Sequence, residues 1–184
     1  MTRQQALELL HQYVKNPRTI AHCIASEAVL RATAKRLGQD EGKWALAGLL
    51  HDLDVELTHD KPDIHGHETI RILTEQGLDP EILDAIIRHN EMNNSGERTE
   101  IFHHALAAGE TITGLITATA LVYPDKKVAS VKPKSVLKRM KEKAFAASVN
   151  RETIMECEKI GIPLPEFAAM SIEAMAGVAD EIGL

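Results

Sequence analysis

Apolar residues recur at helical spacing along almost the whole of this 184-residue chain, and the strict alternation typical of a half-buried strand is not sustained anywhere. Capping residues and prolines divide the pattern into helices joined by short connections. A hydrophobic content of 44% is ordinary for a globular protein. We therefore predict an all-α fold with a single domain over residues 1–184 and no internal repeat.

The capping signals also predict where each helix begins and ends. The predicted helices cover about residues 2–14, 16–37, 40–52, 64–76, 80–88, 100–122, 135–148, 151–160 and 165–182. Residues 53–63 are predicted as a loop, because the sequence Lys61, Pro62, Asp63 disfavours helix immediately before the proline.

The segment 105–123 is long and apolar, and Glu110 is its only charged residue. Its length would suit a membrane span, but its threonines and its low density of Leu and Ile favour a central helix of a water-soluble core. A buried carboxylate is costly unless a cation or hydrogen-bond donors meet it. We therefore expect Glu110 to have a partner, for which a metal ion would serve.

Charge and cysteine content narrow the classes of partner and compartment. The formal net charge is −6, which argues against a general nucleic-acid binder. Two cysteines make no disulfide framework, and the N-terminal residues lack the apolar core of a signal peptide, so we predict a cytoplasmic protein. Residues 126–143 are the local exception, with eight Lys or Arg against one acid. This run is either a solvated helix face or a rim that attracts anions.

Histidine is unusually frequent, with nine residues against six Phe, Tyr and Trp together. His51 and Asp52 end an apolar helix, and His22, His65 and His89 each come from a different predicted helix. Each alone could be a residue of a helix face or a helix end, but together they predict a metal centre where helices converge. Imidazole with carboxylate suits Fe, Mn, Zn, Ni or Co better than Ca or Mg alone.

The order of these residues, ending in the carboxylate of Glu110, resembles the HD superfamily of metal-dependent phosphohydrolases, in particular the small stand-alone HDIG-like proteins. Residues 49–54, 65–66, 86–90 and 113–116 carry the local similarity. The resemblance implies an HD-type helical bundle with its metal-binding core at about 16–124 and C-terminal helices within 135–184 packed on it. It implies a one-metal set of His22, His51, Asp52 and Glu110, which His65 and His89 extend to two ions bridged by Asp52.

Two positions depart from the pattern of that superfamily. Glu110 stands where its members usually have Asp, so the longer side chain is expected to change metal choice or coordination geometry. Asn90 stands where two-metal members that cleave cyclic dinucleotides carry a second His. One ion and two ions both remain open.

The function implied by the resemblance is hydrolysis of a phosphate ester by hydroxide formed on one or two divalent ions (Fe, Mn, Ni, Co, Zn or Mg). His51 and Asp52 would be catalytic, and a nucleotide or another small phosphorylated metabolite would be the substrate. Predicted substrate contacts are His67, Asn90, Lys126, Lys127 and Arg151. No membrane or nucleic-acid partner is expected.

The alternatives are an HD-fold di-iron oxygenase and a degenerate HD domain that binds or signals. The remaining histidines include His103, too far along its helix to share an ion with Glu110, and His11, His59 and His104, predicted at the surface.

Overall fold

The computed structural model describes residues 1–59 and 61–184, and their regular structure consists of α-helices and short 3-10 turns without a strand. The all-α prediction is confirmed. The helices are α1 (Arg3–Tyr13), α2 (Pro17–Leu37), α3 (Glu41–Leu50), α4 (His67–Glu75), α5 (Pro80–Ile87), α6 (Ile101–Leu121), α7 (Pro133–Met140), α8 (Arg151–Met155), α9 (Leu164–Ala176) and α10 (Ala179–Ile182). Among these described helices, none combines the length and apolarity needed to cross a bilayer.

Two glycines allow α3 and α6 to approach α2 closely. A Cβ atom added at Gly48 of α3 would lie 2.6 Å from the backbone oxygen of Ser26 on α2. At Gly109 of α6, an added Cβ would lie 2.5 Å from Cδ2 of Leu30, also on α2. Both distances are shorter than van der Waals contact. At Gly48 the backbones can approach this closely only without a side chain, and at Gly109 a side chain would force Leu30 to move. The three helices thereby bring one end of α2, the end of α3 and the middle of α6 together.

An aromatic pair fixes the other end of α3 against α6. The rings of Trp44 and Phe102 stack with their centroids 4.8 Å apart and an interplanar angle of 2°. Both side chains are buried. Stacked aromatic rings contribute to stability beyond the apolar area that they bury. This contact lies about two turns from the end of α3 that carries the candidate ligand His51.

The loop between α3 and α4 is organised by one buried carboxylate. Oδ2 of Asp54 accepts hydrogen bonds from the backbone N–H groups of Gly66, Glu68 and Thr69 at 2.8, 3.1 and 3.2 Å. It thus caps α4 from a distance, since the first N–H groups of a helix have no partner within the helix. Gly66, with a φ of 99°, occupies the left-handed region just before the helix begins.

The C-terminal region is more broken than the sequence predicted. The predicted helix 135–148 is α7, which ends at Met140, and the following residues fold into turns. Predicted helix 151–160 is α8 followed by a 3-10 turn, and predicted helix 165–182 divides into α9 and α10 at Gly177. α9 packs against α2 and α6.

Candidate metal centre

Four histidines and one aspartate converge where α2, α3, α4 and α5 meet. His22 lies on α2, His51 and Asp52 follow α3, His65 lies in the turn before α4, and His89 follows α5. They form two groups whose potential ligand atoms all lie within 4.8 Å of one another. The first group is His22, His51 and Asp52, and the second group is Asp52, His65 and His89. Asp52 belongs to both groups.

The distances within these groups match the edges of a coordination polyhedron. The Nε2 atoms of His22 and His51 are 3.2 Å apart, and those of His65 and His89 are 3.1 Å apart. Oδ1 of Asp52 lies 3.1 Å from Nε2 of His65 and 3.5 Å from the Nε2 atoms of His51 and His89. Ligands bonded at about 2.1 Å to one ion lie about 3.0 to 3.4 Å from each other.

In the first group, hydrogen bonds at Nδ1 fix the tautomers of both rings. Nδ1 of His51 donates to the backbone oxygen of Gly48 at 2.9 Å. Nδ1 of His22 lies 2.9 Å from Oγ1 of Thr113, and that hydroxyl donates its own proton to the backbone oxygen of Glu110 at 2.6 Å. Because the Thr113 hydroxyl can then only accept, the His22 proton is on Nδ1. Both rings therefore turn Nε2 toward the centre, where the neutral His51 ring presents a lone pair.

The second group is oriented in the same way. Nδ1 of His89 donates to the backbone oxygen of Ile86 at 2.6 Å. Nδ1 of His65 donates to Oδ1 of Asp54 at 2.7 Å. Contacts of this kind set the ring orientation and raise the basicity of the other nitrogen. All four Nε2 atoms thus point inward with their Nδ1 protons held outside.

Facing lone pairs at these distances repel one another unless a cation or a proton lies between them. In the second group the carboxylates of Asp52 and Asp54 raise the pKa of His65, so without metal a second proton on its Nε2 can be donated to Asp52 or His89. In the first group the neutral His51 ring has no such proton to donate to Nε2 of His22. A divalent cation satisfies both nitrogens and the carboxylate of Asp52 at once, and nitrogen with carboxylate oxygen is a donor set that first-row transition metals favour. The residues present therefore fit a metal ion.

Burial and neighbouring charge shift the pKa values of the centre in different directions. Burial lowers the pKa of His51 to about 3, so this ring is neutral. Burial alone would raise the pKa of Asp52, but the surrounding histidines, led by His51, hold it well below its usual value. His65 differs, because the carboxylates of Asp52 and Asp54 outweigh burial and raise its pKa to about 10.

Glu110 borders the first group without belonging to either. Its Oε2 atom lies 3.6 Å from Nε2 of His22. Its Oε1 atom accepts a hydrogen bond from the hydroxyl of Thr111, the next residue of α6. Burial raises the pKa of this carboxyl group. The sequence-based expectation that Glu110 has a partner in the core therefore agrees with its position beside His22.

The centre opens into a cavity of about 390 Å³, here called the metal cavity. Besides five of the six predicted ligands, its lining includes the carboxylate Glu91, the amides Asn90 and Asn150, and the hydroxyl residues Thr111 and Thr153. His51 lies behind this surface, 1% exposed. No lysine or arginine is among the described lining residues.

Of the five predicted substrate contacts, only Asn90 lines the metal cavity. Its amide donates to the backbone oxygens of Pro62 and His65 at 2.7 and 3.1 Å, so it also secures the loop. His67, Lys126 and Lys127 are exposed outside the lining. Arg151, also outside it, donates to the backbone oxygens of Glu142, Phe145, Ala146 and Val149. That guanidinium holds the turns after α7 together.

The sequence reasoning missed two residues that position the ligands, Asp54 and Thr113. Asp54 stands two residues after Asp52, in a segment that carried the family resemblance, and this spacing was the available signal. Thr113 gave no separate signal among the threonines of α6.

His104 was wrongly predicted at the surface, because its Nδ1 lies 2.6 Å from Oε2 of Glu156 and its side chain is 12% exposed. His103 is paired with Asp84 at 2.8 Å, away from the centre.

A family model described as the HD domain matches residues 19–119, which is more than half of the chain. The chain belongs to the HD domain family. The matched range contains all six predicted ligands, from His22 to Glu110, and confirms the resemblance drawn from their order. Comparison with curated proteins and with solved structures gives no match.

Proposed function

We propose that this HD domain is a divalent-metal-dependent phosphohydrolase that cleaves a small phosphate ester. The observation that carries the proposal is the pair of inward-facing Nε2 contacts, at 3.2 and 3.1 Å, on either side of the shared carboxylate of Asp52. The two donor groups, which share Asp52, would each hold one divalent ion, and a pair of ions suits the displacement of one oxygen by another at phosphorus. A bound divalent ion would lower the pKa of a coordinated water and neutralise charge on the phosphoryl oxygens.

The chain itself contributes orientation and shape. His22, His51, His65 and His89 hold the inner side of the reaction site, each with its Nδ1 proton fixed by an outer partner. On the open side, the amide of Asn150 lines the metal cavity and would donate a hydrogen bond to the ester. The hydroxyls of Thr111 and Thr153 line it too, but they donate to Glu110 and Glu91 and are left as acceptors. Positioning of this kind supplies much of the catalysis in phosphoryl transfer.

The lining of the metal cavity also bears on the substrate. Since it includes the carboxylate of Glu91 and none of the cationic side chains described, bound metal must neutralise most of the phosphate charge. This favours an ester with a single phosphate over a polyphosphate chain. The basic residues of 126–143 lie outside the lining, where they would raise the local concentration of anions without touching them.

The same lining favours one second candidate, a di-iron oxygenase. A cavity with amide and hydroxyl groups and no described cation also suits a neutral hydroxylated substrate. Histidine and carboxylate ligands are compatible with iron as well as with manganese. The identity of the metal and the uptake of oxygen distinguish this candidate from a hydrolase.

The test is to purify the protein anaerobically, determine its metal content, and reconstitute it with Mn, Fe, Co, Ni, Zn and Mg in turn. Each form is assayed for phosphate release from simple mono- and diesters and for oxygen uptake. The double variant His51→Ala, Asp52→Ala is expected to lose metal and activity. The exposed pair His11→Ala, Asp63→Ala serves as the matched control. Oxygen uptake without phosphate release would establish the oxygenase, and a folded protein that binds none of the metals would leave a binding domain.

A further inference from the structure

A second cavity of about 570 Å³ adjoins the metal cavity and shares two lining residues with it, His22 and Gly114. We call it the outer groove. The other residues that line it from α2 and α6 are Pro17, Arg18, Ala21, Thr117 and Leu121. Because one ligand histidine borders both spaces, a molecule bound in one lies next to the other.

The outer groove runs along α2 and α6, and Ile182, Gly183 and Leu184 complete its lining. Residues 110, 114, 117 and 121 are spaced by four, three and four positions, so they share one face of α6. This stripe extends about 16 Å from Glu110 at the metal cavity to Leu121 at the end of the helix. On α2, His22 and Arg18 are one turn apart. Both walls therefore lead outward from the metal centre.

Gly114 stands where the two cavities join. Glycine inside a helix costs stability relative to alanine, so its presence calls for another reason. Unlike Gly109, it does not allow close contact with another helix. The nearest atom to an added Cβ would be Cγ2 of Val149, at 3.2 Å, and among the described residues no other atom outside the helix lies within 4 Å. A side chain at position 114 would instead occupy the place where the linings of the two cavities meet.

Arg18 supplies the positive charge that the metal cavity lacks. It is exposed at the start of α2 and lines the outer groove. Within residues 1–59 and 61–184, no ion pair is formed by its guanidinium. The neighbouring lining is mostly apolar, with Pro17, Ala21 and Leu121. An anionic group carried on an apolar body complements this combination.

We infer that the substrate has two parts: a phosphate ester group that reacts in the metal cavity, and an apolar body in the outer groove that ends in a second anionic group near Arg18. This inference rests on the proposed function and specifies its substrate class.

The experiment measures binding of unreactive phosphonates to the Mn-loaded protein by calorimetry under anaerobic conditions. The probes are methylphosphonate, hexylphosphonate and 6-phosphonohexanoate. They share the phosphonate group that binds metal and differ in the length of the alkyl chain and in its terminal carboxylate. We expect hexylphosphonate to bind at least about tenfold more tightly than methylphosphonate, since its chain is removed from water. The terminal carboxylate should add about a further threefold at low salt, and Arg18→Gln should remove that increment while Lys35→Gln on the same helix keeps it.

Two pairs of variants test the location. Leu121→Glu should abolish the preference for the longer arm, whereas Val122→Glu, at an equally exposed position outside the lining, should retain it. Gly114→Val should also abolish the preference, and Gly42→Val on the exposed side of α3 is its matched control. The preference is a ratio of two affinities, so it is meaningful for any variant whose circular dichroism shows it folded.

The possible failures are distinguishable. If methylphosphonate binds in a metal-dependent way but the longer arms bind no more tightly, the two-part substrate is wrong and the proposed hydrolase stands. Retention of the preference in both Leu121→Glu and Gly114→Val would also overturn the inference. If no phosphonate binds to the metal-loaded protein, the proposed function fails together with the inference.

Discussion

The two halves of the metal centre are held in place by different means. In the first group, His22 lies on α2 and His51 directly follows α3, two helices whose backbones meet at Gly48. In the second group, His65 lies in a loop and depends on Asp54, a single carboxylate with 0% exposure. Asp52 joins the two halves.

The first group is held mainly by the packing of helices, whereas the second group depends on hydrogen bonds to Asp54. Packed helices place the backbones of the first group through many apolar contacts, and its two rings are oriented by separate hydrogen bonds to Thr113 and Gly48. Asp54 serves two purposes in the second group, since it orients His65 and caps the start of α4. A change at this carboxylate should therefore affect one half of the centre much more than the other.

The largest effect is expected from Asp52→Ala, because this residue contributes to both groups. On the proposal that each group holds one ion, the variant should lose both ions and all metal-dependent activity. Elemental analysis after desalting measures the metal, and phosphate release measures the activity. His11→Ala, an exposed histidine of α1, should keep the full metal content. Retention of one tightly bound ion in Asp52→Ala would show that the two groups bind metal independently and would contradict the shared role of Asp52.

Asp54→Asn should separate the two halves. The amide oxygen can still accept backbone hydrogen bonds, but the amide cannot replace a carboxylate both as the acceptor for His65 and as the cap of α4. We expect affinity for the second ion to fall about 10- to 100-fold and affinity for the first to change little, as titrated by calorimetry. The control is Asp63→Asn, in the exposed part of the same loop. An equal loss of both ions would refute the distinction.

The two halves should also respond differently to pH. The pKa of His65 is raised to about 10 in the metal-free protein, so metal binding must displace its proton at neutral pH. Affinity for the second ion should therefore rise by up to about tenfold per pH unit between pH 7 and 9. His51, with a pKa lowered to about 3, has no proton to lose in this range. Calorimetry in buffers of different ionisation enthalpy should detect one proton released with the second ion.

The smallest effect on metal binding is expected from Gly48→Ala. The added Cβ would meet the backbone of Ser26 at 2.6 Å, so α2 and α3 must separate. We expect the free energy of unfolding to fall by about 1 to 3 kcal/mol and affinity for the first ion to fall less than tenfold. Denaturant titration measures the first quantity. Gly42→Ala in the exposed first turn of the same helix should be neutral or slightly stabilising. Equal destabilisation in both variants would count against the packing explanation.

The sequence predicted the helices best where caps and prolines bound a long amphipathic pattern. Asn16 and Pro17 begin α2 as predicted, and α6 (Ile101–Leu121) agrees with the predicted helix 100–122 to within one residue at each end. The prediction of a helix over residues 135–148 failed after Met140. There the chain forms turns, because Arg151 binds the carbonyl oxygens of those turns from further along the sequence. A contact of that kind has no local signature.

The metal centre also has a part that the sequence predicted and a part that it did not. The order of His and Asp residues was enough to select the six candidate ligands, five of which form the two groups. Their outer hydrogen bonds were not predictable, because Thr113 reaches His22 across 91 positions of sequence. The predicted substrate contacts Lys126 and Lys127 were chosen for their charge, which says nothing about which residues line a cavity.

The stack of Trp44 on Phe102 has a practical consequence. Trp44 is the only tryptophan in the chain, so intrinsic fluorescence excited at the red edge of its absorption arises from this one position. Any motion that separates α3 from α6 exposes the indole to water and should shift its emission to longer wavelength. The same helix carries His51, so a label-free optical signal follows the integrity of the scaffold beneath the metal centre, even when the metal itself is spectroscopically silent.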